Sequence, residues 1–372
     1  MPRPALRRTP FGSAPDGTPV ERWHLDSGHG VRAEVLTYGG VLHALEVPDR
    51  RGDTRSVVLS LPGVDDYADR NPYLGALVGR YANRIAEGRF TLDGQVHQVP
   101  VNDRGHALHG GTDGFDRRVW NAEPLLRDGA AAVRLTLRSP DGDMGFPGAL
   151  EVAVTYSLDE RGTLALDYRA VTDRATVVNL TNHAYFNLSG DPTVAGHLLQ
   201  LDADRYLPVT AEGIPYGPAT TAAGTPFDFA EPHSIGSRLP APDRQLEVMG
   251  GYDHCWLLRP PPGAAAGLRR AARLADPVSG RELEVWTTEP GLQVYTGNQL
   301  DGTLRDAAGR RHQRHAAVCL ETQHLPDSPN RPDYPSTVLR PGAVLRSRTE
   351  YRFPHPRPQT RPEPAPGPPA AG

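Results

Sequence analysis

The chain of 372 residues carries 40 Lys+Arg against 44 Asp+Glu, a formal net charge of −4; this argues against a nucleic-acid binder, which would show a basic domain or stripe. Hydrophobic residues make up 38% and charged residues 23%, a globular rather than a disordered composition. With 39 Gly and 38 Pro, little room is left for long helices, and short strands joined by turns are favoured.

In chain order, the first residues (MPRPALRRTP) are basic with no apolar stretch behind them, so no signal peptide is expected. Residues 1–12 read as a flexible N-terminus. Residues 31–36 read as a strand, 63–69 hold the best short helical spacing, and 90–92 form another strand-like run. Residues 132–137 (AVRLTL) alternate apolar and polar side chains. So do 150–156 (LEVAVTY) and 164–170 (LALDYRA), and the turn DERG between them predicts a hairpin. Further short runs fall at 198–201, 283–287 and 292–296. No alternation of strands with long helices appears, which excludes a doubly wound sheet or a (βα)₈ barrel. No apolar run approaches the roughly 18 residues of a membrane span. The expected fold is therefore all-β: one large domain of twisted antiparallel sheets over residues 13–352, then a disordered Pro/Ala-rich tail over 353–372.

Certain residue types are missing or scarce, which narrows the chemistry. The sequence contains no lysine; all 40 basic side chains are arginine. Schiff-base chemistry, pyridoxal phosphate and a P-loop lysine are thereby excluded. Cys255 and Cys319 can build neither a disulfide framework nor a four-thiolate zinc site; one bridge between them is the alternative to the favoured reading, two buried free thiols of a cytoplasmic protein. Sequons at Asn179 and Asn187 read as chance matches. His106 with His109, and His312 with His315, have metal-like spacing, but no carboxylate or cysteine completes either set, so no metal and no other cofactor is expected.

Polar residues concentrate beside strands in a few places. His109 stands before two glycines, where backbone can approach a ligand. His183 lies in an apolar-flanked strand among Asn179, Asn182 and Asn187, as either a hydrogen-bonded core residue or a catalyst. Glu321 ends a buried run (AAVCLE) and must be paired or functional, because a buried lone carboxylate is costly.

These segments, in order, closely resemble the aldose 1-epimerases, or galactose mutarotases. The resemblance rests on GRYANRIAEGRF, LHGG…GFD…W, DGDMGFPG, NLTNHAYFNLSG, YLPV, GTPFDF, YDH, PGLQVYTGNQLDGT and LETQ…PDSPN…TVLRPG. It implies a β-supersandwich that interconverts the α and β anomers of free hexoses of the glucose and galactose type. By the same resemblance Glu321 is the general base, His183 the general acid and His109 a second histidine at the sugar. Asn83, Arg84, Asp253 and Gln293 fall where the family contacts hydroxyls. Gln299 and Leu325 depart from the family pattern, and both are expected at a pocket wall. Ring opening needs a base on the C1 hydroxyl and an acid on the ring oxygen. A carboxylate and a histidine suit those tasks near neutrality, and Asp253 or Glu321 is expected to raise the His183 pKa and keep it protonated. A glycosidase would leave both histidines idle. A hexose-6-phosphate mutarotase would need an added anion site, and a carbohydrate-binding module would need no catalytic pair. The expected partner is a small aldose, with no nucleic acid or membrane, for a monomer or homodimer.

Overall fold

Period-two patterning places alternate side chains on opposite faces of a strand, and that is how this chain folds. The computed structural model describes residues 3–127, 129–260 and 267–354. The predicted hairpin pairs Leu150–Asp159 with Leu164–Thr172, in register from Leu150↔Thr172 to Leu158↔Leu164. Its turn is held by Asp159, whose Oδ1 accepts from the N–H of Arg161 (2.9 Å) and of Thr163 (2.8 Å), an aspartate turn of the predicted kind.

This hairpin sits inside a nine-stranded sheet whose spatial order is Asn121–Arg127, Ala130–Ser139, Leu150–Asp159, Leu164–Thr172, Leu345–Arg352, Glu282–Thr287, Arg269–Ala275, Leu198–Leu201 and His233–Ser234. A five-stranded meander runs from Ala5–Ser13 to Thr54–Ser56. A six-stranded sheet is ordered Tyr185–Phe186, Val318–Gln323, Gly291–Tyr295, Asp253–Leu258, Ala203–Tyr206 and Thr220–Thr221. The three sheets share one apolar core: Trp23 and Leu25 from the meander, Leu135, Val152, Tyr156 and Leu166 from the large sheet, and Trp256, Leu292 and Leu320 from the third. The buried guanidinium of Arg281 ties the meander to the rest, donating to the carbonyls of Val47 (2.9 Å), Leu188 (3.1 Å) and Asp53 (2.6 Å). Helices are few and short. Val64–Arg70 matches the predicted helix, with Asp65 and Asp66 in its first turn, where they favour the positive end of the helix dipole.

Three expectations are corrected. Most of the segment expected to be a flexible N-terminus, residues 1–12, is not loose: Ala5–Ser13 is the edge strand of the meander, paired with Pro19–Asp26, and residues 1–2 lie outside the described residues. The tail assigned to 353–372 begins too early, since Phe353 is buried in the main core; residues 355–372 lie outside the described residues. His183 is not inside a strand. It falls between Thr181–Asn182, which pairs with Leu77–Val78, and Tyr185–Phe186, which pairs with Val318–Gln323. The chain changes partner there: His183 is the last residue bonded to the Gly75–Ala76 backbone, whose carbonyls also accept from the Asn182 side-chain amide (2.8 and 3.3 Å).

Candidate active site

Two adjacent strands of the six-stranded sheet put Glu321 opposite Gln293, and the next strand carries Asp253 opposite Tyr295. His183 reaches the same end of the sheet from the partner-switching segment. Its N–H donates to the Ala76 carbonyl, and its own carbonyl accepts from Gly75 N–H, both at 2.9 Å. Across the opening stands the short antiparallel pairing of Arg84–Ile85 with Ala107–Leu108, which brings Asn83 and His109 side by side at the same end, His109 N–H donating to the Asn83 carbonyl (3.2 Å). Together these elements line a small, open-mouthed pocket with a cavity volume of about 70 Å³. Asn83, Arg84, His109, His183, Asp253 and Glu321 all line it.

The backbone is held in an unusual state at this mouth. Tyr73 (φ 64°), Asn83 (φ 65°) and His109 (φ 53°) all occupy the left-handed region, which costs a non-glycine residue energy and concentrates at functional sites. Gly110 follows at φ 93°, and a Cβ there would lie 2.2 Å from the Gly79 carbonyl oxygen, so only glycine lets the two segments close. The PDSPN motif splints the same region from behind. Asp327 N–H donates to the Arg84 carbonyl (2.8 Å), and Asp327 Oδ1 accepts from Ala86 N–H (2.9 Å).

Glu321 and His183 are both buried, with Oε1 and Nε2 3.6 Å apart. That is too long for a hydrogen bond and short enough for atoms of one ring to touch both groups. Glu321 Oε2 and His183 Nδ1 have no hydrogen-bond partner among the described residues. Burial pushes the Glu321 carboxyl well above its usual range, helped by Asp253 and opposed by Arg84. Burial pushes His183 down to about 4. The expectation that Asp253 or Glu321 keeps His183 protonated in the open site is therefore corrected: desolvation dominates, opposed by a backbone hydrogen bond.

His109 is also driven well below its usual pKa, by burial and then by His183 and Arg84. Its ring is oriented by an N–H that can only donate: Asn83 N–H points at His109 Nδ1 at 3.1 Å. Nδ1 is thus the acceptor, and the proton of the neutral ring sits on Nε2. Donor atoms of His109, His183 and Glu321 lie within 4.8 Å of one another, the two-histidine, one-carboxylate composition of many metal sites. The ring state does not fit a metal. A ligating histidine donates outward from the nitrogen it does not use, whereas His109 accepts there and offers the pocket an N–H. That donor suits a hydroxyl oxygen.

Arg84 Nε donates to Asp103 (2.9 Å), and its Nη2 lies 3.9 Å from Asp253. Gln293 Nε2 donates to Asp253 Oδ1 at 2.7 Å; Gln293 is not among the residues lining the pocket and stands behind Asp253. Of the two departures from the family pattern, Gln299 lines the pocket. Leu325 does not, and is buried against Leu207 and Cys255. Sequence reasoning missed Tyr73, Asp103, Tyr185 and Tyr295 as pocket residues. Two of them carried a signal: Tyr185 and Tyr295 lie two residues beyond His183 and Gln293.

A family model described as aldose 1-epimerase matches residues 21–352. The chain belongs to the aldose 1-epimerase family. It is 41% identical over 352 residues to galactose mutarotase of Rattus norvegicus, covering 94% of this chain and 98% of that one. It is 39% identical over 354 residues to aldose 1-epimerase of Escherichia coli K12, covering 94% and 99%. The crystal structure of galactose 1-epimerase from Lactobacillus acidophilus superposes with a TM-score of 0.82 at 30% identity, covering 95% of this chain and 99% of that one. Among the described residues no helix is long and apolar enough to cross a membrane.

Proposed function

We propose that this member of the aldose 1-epimerase family interconverts the α and β anomers of a free aldose, with Glu321 and His183 as the proton-transferring pair. The observation that carries the roles is their placement: two buried titratable groups, 3.6 Å apart at the base of a pocket, each with an unpartnered polar atom. Glu321 takes the proton of the C1 hydroxyl while His183 protonates the ring oxygen. The C1–O5 bond breaks, and the open-chain aldehyde forms. Rotation about C1–C2 presents the other face, and closure reverses both transfers. The proton count is unchanged over the cycle, so no co-reactant is needed. His109 donates its Nε2–H to a sugar oxygen, and Arg84 and Asp253 hold neighbouring hydroxyls as donor and acceptor.

A free hexose fits this pocket better than its 6-phosphate. Among the described residues Arg84 is the one arginine lining it, set against Asp103, Asp253 and Glu321, so a dianionic phosphate would meet net negative charge. Two free buried thiols and no disulfide-dependent element favour a cytoplasmic setting.

Polarimetry of freshly dissolved α-glucose, α-galactose and their 6-phosphates tests this. Catalysed decay for the free sugars and not the phosphates is expected. Glu321→Gln should lose at least about 10²-fold in kcat, as befits a positioned base, while galactose still binds by calorimetry. Near-normal turnover by that variant would remove Glu321 from the base role.

A further inference from the structure

Arg84 is buried to 5% side-chain exposure, and its environment fixes more of it than sugar binding alone requires. Nε–H is spent on Asp103 Oδ2 at 2.9 Å. The nearest other carboxylate is Asp253, 3.9 Å from Nη2, and Nη1 has no hydrogen bond or ion pair among the described residues. On the far side the guanidinium packs against the turn between Val209 and Pro215. A Cβ built on Gly213 would come within 2.8 Å of Arg84 Cζ and 2.9 Å of Nη1. The turn and the Asp103 loop are joined: Arg104 Nη1 donates to the Ala211 carbonyl at 3.1 Å, and Arg104 Nε lies 3.5 Å from Asp103 Oδ1.

We propose that Asp103 is a positioning residue for Arg84, and that Asp103 and the bare Gly213 backbone together clamp the guanidinium so that its Nη edge faces the aldose. The physical logic is that of a planar fork. Arginine recognises paired oxygens only when its plane is fixed, and a free side chain of this length would have to be ordered at each binding event. Anchoring Nε on a carboxylate removes that ordering and leaves the Nη groups for hydroxyls. Gly213 is required because any side chain would occupy the volume the guanidinium fills. This inference rests on the sugar-binding reading of the pocket given above. It assigns Asp103 no proton transfer, since its carboxylate is engaged by two arginines.

The test is a set of single and double variants measured by polarimetry and by calorimetric binding of galactose. Asp103→Asn weakens the charge-assisted bond, and is expected to raise KM and the galactose Kd about tenfold while kcat stays within about threefold. Gly213→Ala is expected to move KM in the same direction. In an Arg84→Ala background neither change should alter the Kd further, because both act through Arg84. A Kd that Asp103→Asn leaves unchanged overturns the proposal. So does an equal loss with Arg84 absent, which would make Asp103 a direct sugar contact, and so does a fall in kcat at constant KM. Should the wild type bind galactose without mutarotating it, the function reading fails while the binding cycle still decides the clamp.

Discussion

Asn83 gives its backbone N–H to His109 Nδ1 at 3.1 Å, and this one bond decides what the second histidine of the pocket can be. A backbone N–H cannot accept, so the imidazole must show its own N–H to the sugar. The prediction is that millimolar EDTA leaves kcat unchanged and that micromolar Zn²⁺ leaves the KM for galactose unchanged, despite a donor set of metal-like composition. Loss of activity to EDTA with recovery on adding a divalent ion would show that the ring adopts the other tautomer and holds a metal.

Acid should unfold this protein early. Burial pushes His43, His183 and His197 down to about 4 and His254 to about 3. Two of them accept backbone N–H groups, His197 Nε2 from Leu188 (2.8 Å) and His254 Nδ1 from Asp253 (3.1 Å), so a second proton would break those bonds. Unfolded histidine titrates near its ordinary value of about 6.5. A lowered folded pKa means the unfolded chain binds protons first, so stability is fully present above about 6.5 and is lost as pH falls toward 4. Asp116, pushed up to about 6 by burial, works the other way. So do Glu321 and Asp327, also raised by burial, and His324, whose burial is outweighed by Glu289. They are outnumbered, because burial also lowers His24, His97, His109, His312 and His315. The melting temperature is expected to fall by several degrees from pH 7.5 to 5.5, measured by calorimetry. A flat or rising profile would mean these rings are solvated.

The C-terminal boundary separates two truncations. Ending the chain after Pro354 should leave the melting temperature unchanged. Ending it after Arg352 removes Phe353, which is 7% exposed within the main core, and should cost about 3 kcal/mol, as large core deletions do. Equal melting curves for the two truncations would show that Phe353 contributes nothing to the core.

How far the sequence could be read depended on what kind of signal each element left. The central strands were visible because their alternation is the physical cause of their burial. The edge strand Ala5–Ser13 was not, since arginines, Pro10 and Gly12 resemble a loose terminus; an edge strand tolerates proline, and its register shifts between Pro10 and Gly12. The residues proposed for the acid–base roles came through resemblance, and the structure brings His109, His183 and Glu321 to one pocket. What no pattern in the sequence revealed was the division of labour among the asparagines. Asn179 bonds the carbonyls of Ala82 and His324, and Asn187 those of Asp191 and Ala316. With Asn182, they brace backbone around His183 and leave its ring unpartnered. Asp103 likewise carried no local signal, because its role exists only once Arg84 folds against it.

His183 is where a structural role and a catalytic role separate most cleanly. If it only packed against Tyr185, with ring centroids 5.0 Å apart, His183→Asn would lower stability by about 1–3 kcal/mol and spare turnover. The backbone at this position is pinned through Ala76 and Gly75 whatever the side chain, so the variant is expected to fold. It should lose about 10²–10⁴-fold in kcat if the ring moves a proton. The pH profile adds a second, independent criterion. His183 is lowered to about 4 and Glu321 is raised, so over a wide middle range the pair holds one proton between them. The productive arrangement, with Glu321 ionised and His183 protonated, is a tautomer of the neutral pair. Its share of the one-proton state does not change with pH. Activity is therefore lost only when a second proton enters at His183 or when the shared proton leaves. For kcat/KM, corrected for the spontaneous rate and for the folded fraction by circular dichroism, the acid limb should lie near pH 4 rather than 6.5. An acid limb near 6.5, or a His183→Asn variant that folds and turns over normally, would take this histidine out of the chemistry.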